Sequence, residues 1–168
     1  MQGTFPTVVM GDLHGRRDLL LRALVELGLA DESGQWTGGS RRLIQLGDVI
    51  DRGPEPLGAM DLLMGLQAGA RAVGGDLICL LGNHEMMALR AAAGEHASRL
   101  TWALNGAASG YREWMDREGL TGDETELPYP DAFFGLFSYD SPYGRWIRSH
   151  QVAAQAGGYV VVHAGWTP

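Results

Sequence analysis

Carboxylates, imidazoles and one amide recur in four short glycine-bounded phrases: Gly11-Asp12-Leu13-His14-Gly15, Gly47-Asp48-Val49-Ile50-Asp51-Arg52-Gly53, Gly82-Asn83-His84-Glu85 and His163-Ala164-Gly165. The order Asp-x-His, Asp, Asn-His, His suits two adjacent metal ions. Asp12 and His14 lie two apart, so at a strand end both can turn toward one ion. Asp48 is suited to bridge, because a carboxylate can give one oxygen to each metal of a pair roughly 3.5–4 Å apart. Asn83 and His163 would complete the second ion through an amide oxygen and an imidazole, a set that suits Mn, Fe or Zn better than Ca. Each piece alone has an ordinary reading: a Gly-Asp turn beside a solvated His, an N-capping Asp48, a loop salt bridge for Arg52. The four together favour the metal reading.

Two metals sharing a water generate hydroxide near neutral pH, placed for in-line attack on phosphorus. Side chains are then left to orient the phosphoryl group, stabilise its charge and protonate the departing oxygen. Arg52 fits the first two tasks with a bidentate fork. His84 is placed as general acid, Asp51 could hold its imidazole in the productive tautomer, and Glu85 is expected to fix the loop.

The elements that must position these groups alternate in the manner of a layered α/β fold. Thr7 to Met10 is a β-rich run ending at the first phrase. Leu20, Leu21, Leu24 and Leu27 then repeat at helical spacing from Arg17 to Leu27, with Gly28 as a stop. Arg42 to Leu46 runs into the second phrase, followed by a helix from Pro56 to about Val73. Leu77 to Leu81 delivers the third phrase, and Met86 to Ala93 continues as helix. Two strands, Gln151 to Ala156 and Tyr159 to Val162, joined by Gly157-Gly158, carry His163 to the same edge. Between Gly94 and Gly144 the rhythm breaks, and ten of the fourteen aromatic residues fall between Trp102 and Trp146. With Asp123, Glu124, Glu126, Pro128 and Pro130, this stretch of about 94–144 reads as an inserted cap that shapes specificity, with plain core as the competing reading for its aromatics.

The composition bounds the rest. The 168 residues are 45% hydrophobic, enough for one domain that buries about 70% of its unfolded surface. Thirteen basic against twenty acidic residues leave a formal charge of −7, which argues against a nucleic-acid-binding face and against anionic membranes. A single cysteine, Cys79, excludes an intrachain disulfide and reads as core. With no apolar run of membrane length and no leader, cytoplasmic residence is expected. His96 and His150 read as surface histidines.

In order and separation the four phrases resemble the phosphoprotein phosphatase branch of the calcineurin-like metallophosphoesterases, from about Val8 to Pro168. The stretches Gly82 to Met87, Gly144 to Ser149 and His163 to Pro168 are most similar to the bacterial and plant Shewanella-like phosphatases. The resemblance implies an α/β fold, a metallophosphoesterase β-sandwich flanked by helices. It implies metal binding by Asp12, His14, Asp48, Asn83 and His163, catalysis by His84, Asp51 and Arg52, and phosphate contacts from Arg52, Asn83 and His84. The substrate would be a phosphoprotein or a small phosphorylated molecule. Two departures stand out. Leu81 occupies the place where eukaryotic-type Ser/Thr phosphatases carry a phosphate-binding Arg, and the family pattern runs on to one further His, whereas this sequence stops five residues after His163. The sandwich is therefore expected to be truncated after its first half, with an uncovered apolar sheet face prone to self-association. Two alternatives follow: a dinucleoside polyphosphate hydrolase, suggested by Arg52-Gly53-Pro54, and a non-catalytic metal- or phosphate-binding fragment.

Overall fold

The computed structural model describes residues 7–123 and 127–165; Glu124 and Glu126 of the acidic stretch and Trp166 to Pro168 of the last phrase lie outside the described residues. Three short strands, β1 (Thr7–Met10), β2 (Arg42–Gln45) and β3 (Asp76–Cys79), form a parallel sheet in that order. The register sets Met10, Gln45 and Cys79 abreast, so the three following loops leave from one edge. Parallel strands need crossovers, and α1 (Arg17–Glu26) and α2 (Pro56–Ala72) supply them. Leu43, Ile44 and Leu77 are fully buried, as expected of strands covered on both faces.

Helix α2 buries Leu57, Met60, Leu63, Leu66 and Ala70, a set too wide for a surface helix, because it packs on β3, on α1 and on a later helix over Ala108–Glu118. Helix α3 (Asn83–Ala92) begins at the third phrase itself, three residues earlier than the apolar spacing indicates, because Glu85 reaches back to accept the Gly82 N–H at 3.0 Å.

The stretch after α3 is helical throughout most of its described length: α4 (His96–Trp102), a kinked turn over Ala103–Ala107, α5 (Ala108–Glu118), α6 (Asp131–Gly135) and α7 (Pro142–Arg148). Trp102, Phe133, Phe134 and Phe137 are buried in the main core cluster with the leucines of α1 and α2. A hairpin, β4 (Ala153–Ala156) and β5 (Tyr159–Val162), turns on Gly157, whose left-handed backbone suits a two-residue connection. It joins the sheet through a parallel bridge from Gln151 to Leu80. A second, smaller cluster of Ile44, Leu80 and Ala154 lies there, while Val152, Tyr159 and Val160 are exposed.

Cys79 is free and buried. His96 is exposed, but His150 is not the surface residue its sequence context suggests: it packs edge-on against Trp146 with both ring nitrogens buried and without a hydrogen-bond partner. No helix among the described residues is long and apolar enough to cross a membrane.

Candidate metal and phosphate site

The first two loops are laced together by backbone bonds. The N–H groups of Leu13 and His14 donate to the Asp48 carbonyl at 3.0 and 2.9 Å, Gly15 donates to Val49 at 2.8 Å, and Gly53 donates to His14 at 2.9 Å. This crossing is tight: a Cβ on Gly53 would collide with the His14 carbonyl. From beneath, the buried Gln45 amide donates to the Gly11 and Gly47 carbonyls at 3.2 and 2.7 Å and accepts from the Gly47 N–H at 2.9 Å. Gln45 lies two positions before the second phrase and looks like any strand residue, so nothing in its spacing marks it.

Glu85 ties the third loop to the second. Its two oxygens accept the N–H groups of Asp48 (2.9 Å), Val49 (2.8 Å), Gly82 (3.0 Å) and, more weakly, Ile50 (3.4 Å). Burial pushes its carboxyl upward, opposed by these donors. The resulting loops hold four non-glycine residues at left-handed φ: His14 (45°), Asp48 (52°), Asp51 (72°) and Arg52 (65°). Such backbone is costly for L-residues and gathers where function demands it. Among the described residues, all of the non-glycine positive-φ positions belong to this site.

Three imidazoles converge on Asp48. His14 donates from Nδ1 to the Ile50 carbonyl at 3.3 Å, and His163 donates from Nδ1 to the Leu46 carbonyl at 2.8 Å. His84 donates from Nδ1 to Asp51 Oδ2 at 2.7 Å. Because carbonyls only accept, each Nδ1 carries the proton and each Nε2 turns a lone pair inward. The Arg52 guanidinium, which only donates, reaches His14 Nε2 at 3.1 Å and His84 Nε2 at 3.2 Å, in agreement with those tautomers.

Asp48 Oδ2 lies 3.9 Å from both His14 Nε2 and His84 Nε2, and Asp48 Oδ1 lies 3.5 Å from His163 Nε2. Asn83 Oδ1 stands 3.1 Å from His163 Nε2. Two lone pairs facing each other so closely make a donor set that a cation reconciles, and the mixture of oxygen and imidazole nitrogen fits a divalent ion. Asp12, half exposed, closes the rim at 4.0 Å from His14 Nε2 and 3.9 Å from His163 Nδ1. The tightest grouping is His14, Asp48 and His84, with ligand atoms within 4.8 Å of one another. All eight residues singled out by spacing thus fall in one cluster.

Asp51 is 1% exposed and has a second donor that spacing could not reveal: the Trp102 indole Nε1–H meets the same Oδ2 at 2.7 Å. Burial pushes the Asp51 carboxyl up, and the His84 and Trp102 donors pull it back. The same hydrogen bond holds the His84 imidazole above its ordinary value. Two N–H groups aimed at one oxygen require an acceptor, so Asp51 is the anion of the pair.

The family model for calcineurin-like phosphoesterases matches residues 5–168. Shewanella-like protein phosphatase 2 of Arabidopsis thaliana is 44% identical over 80 residues, covering 48% of this chain and 20% of that protein. Serine/threonine-protein phosphatase 2 of Salmonella typhimurium is 35% identical over 160 residues, covering 94% of this chain and 57% of its own length. Among solved structures, the cold-active protein-tyrosine phosphatase of a psychrophilic Shewanella superposes with a TM-score of 0.75 at 25% identity, over 98% of this chain and 43% of that one. The chain therefore spans between about a fifth and three fifths of these relatives.

Proposed function

Since the chain belongs to the calcineurin-like phosphoesterase family, we propose that it hydrolyses phosphomonoesters, on a phosphoprotein or a small phosphorylated molecule, with the help of two divalent ions drawn from Mn, Fe and Zn. The observation that carries this reading is the convergence of three Nδ1-anchored imidazoles on Asp48 beside the Arg52 guanidinium. Asp12, His14 and Asp48 would hold one ion, and Asp48, Asn83 and His163 the other. When bound, the ions supply positive charge at the phosphoryl group and make water acidic enough to attack near neutral pH.

The remaining work belongs to the chain. Arg52 is exposed and offers two N–H donors to phosphoryl oxygens, while the Asn83 amide and His84 line the same edge. A phosphoryl group bound to Arg52 would draw the guanidinium off His84 Nε2, leaving that nitrogen to carry a proton to the departing oxygen. Asp51 keeps the ring aimed through Nδ1 and stabilises the charge it acquires. The names of the relatives include both serine/threonine and tyrosine phosphatases, and Leu81 removes one phosphate-binding Arg of the eukaryotic type. Phosphoserine, phosphothreonine and phosphotyrosine are all candidate groups, and substrate preference is assigned to the stretch of about 94–144, where Arg99, Leu100, Tyr129 and Phe134 line a cavity of about 220 Å³.

The test is hydrolysis of p-nitrophenyl phosphate with Mn²⁺, against chelator and a His84→Asn variant, followed by phosphoserine and phosphotyrosine peptides and diadenosine tetraphosphate. Metal-dependent turnover that falls by about 10²-fold or more in His84→Asn is expected. Metal binding without turnover would make the chain a binding fragment. Turnover of the dinucleotide alone would replace the phosphatase reading.

A further inference from the structure

Trp102 and Gly106 belong to the kinked segment joining α4 to α5, and both touch the second loop from behind. The Trp102 indole is 1% exposed, stacked on Phe133 at 5.4 Å and 10° and edge-on to Phe137 at 5.1 Å and 87°. The ring cannot turn without breaking that cluster, and its one N–H is spent on Asp51 Oδ2. Four residues on, at the kink itself, Gly106 sits at φ 121°, and its carbonyl accepts the Arg52 N–H at 3.1 Å. A Cβ at Gly106 would approach Arg52 Cγ at 2.9 Å and Asp51 Cβ at 3.3 Å. Asp51 and Arg52 are the loop's consecutive left-handed residues.

We propose that Trp102 and Gly106 are positioning residues, a brace by which the α4–α5 segment holds Asp51 and Arg52 in the geometry that aims His84 and the phosphate fork. Packing alone would need neither the indole N–H, since phenylalanine offers a flat apolar ring without it, nor a positive-φ glycine at the kink. Without the Trp102 donor, Asp51 Oδ2 keeps one N–H instead of two, the carboxylate can rotate, and the His84 ring loses its fixed aim. Without the glycine, the Arg52 backbone must shift and the guanidinium with it. This inference rests on the reading of Asp51, Arg52 and His84 as the catalytic groups.

Trp102→Phe, Gly106→Ala and Leu66→Ala separate the brace from plain core. Trp102→Phe should lower kcat toward p-nitrophenyl phosphate by about 10- to 100-fold with KM little changed, and should broaden the downfield His84 Nδ1 proton in the NMR spectrum of the Zn²⁺-loaded chain. Gly106→Ala should raise KM and weaken competition by inorganic phosphate, as a displaced Arg52 requires. Leu66→Ala, in the core on α2, should lower Tm while kcat and the imidazole proton stay as they were. If Trp102→Phe instead keeps kcat and that proton and only melts lower, as Leu66→Ala does, Trp102 is core and the proposal is overturned. A chain without turnover still reports through the imidazole proton. Loss of turnover in His84→Asn but not in Trp102→Phe sinks the brace alone, whereas unchanged turnover in His84→Asn sinks the phosphatase reading. Should Trp102→Phe not fold, the Trp102 indole proton of the intact chain decides: slow exchange and an upfield move in Asp51→Asn are expected, and solvent-like exchange would overturn the inference.

Discussion

Glu85 is 0% exposed and answers four backbone N–H groups, three from the second loop and one from the start of α3. Removing it leaves those donors buried without acceptors, each costing about 1–3 kcal/mol with partial relief by water. Glu85→Ala should therefore destabilise by roughly 4 kcal/mol, with Glu85→Gln less severe because one oxygen survives; urea unfolding followed by tryptophan fluorescence measures both. The role of Glu85 was readable in its position after Asn-His, beside a helix start. That of Gln45 was not, because an amide that ties two loops from beneath has the sequence signature of any strand residue. Nor was the Trp102 bond to Asp51, made across 51 positions of chain by a residue whose aromatic neighbourhood looks the same whether it packs or positions.

Among the elements, β1 to β3 and the first two helices were legible because short β-rich runs ended at glycine-bounded polar phrases, and leucines then changed to helical spacing. The start of α3 was not, since its first turn is set by the Glu85 carboxylate reaching back to Gly82 and not by apolar residues. The junction where α7 hands the chain to the sheet hid His150 in the same way. Its imidazole titrates at about 6.5 in the unfolded chain, and burial pushes it down to about 4 in the fold against a weaker pull from the Leu80 backbone. The unfolded chain therefore takes up the proton first as pH falls. The stability tied to a neutral His150 is complete above pH 6.5 and is lost progressively toward pH 4, a change of about 3 kcal/mol. His150→Phe should flatten the pH dependence of urea unfolding across that window; an unchanged slope would mean that the ring reaches water.

For the molecule as a whole, the acidic excess is partly the site's own. Asp12, Asp48 and Asp51 share one edge with three lone-pair-bearing imidazole nitrogens, so an ion that binds the folded chain and not the unfolded one stabilises by mass action. At a hundred times its dissociation constant, Mn²⁺ should add about 2.7 kcal/mol, visible as a rise in Tm that chelator reverses and that Asp48→Asn largely abolishes. No rise would argue against the ligand set.

The four left-handed residues carry a different implication. His14, Asp48, Asp51 and Arg52 each hold backbone that glycine would adopt freely, at about 1–3 kcal/mol apiece. In design terms the site is a tax on thermostability. At Arg52, whose N–H bond to Gly106 glycine would keep, the levy can be lifted without touching the core. Arg52→Gly should melt higher than the parent while losing its grip on phosphate, the opposite signs of a trade between durability and chemistry. A thermally selected library of this chain would drift toward glycine there, and screens that reward stability alone would quietly disarm it.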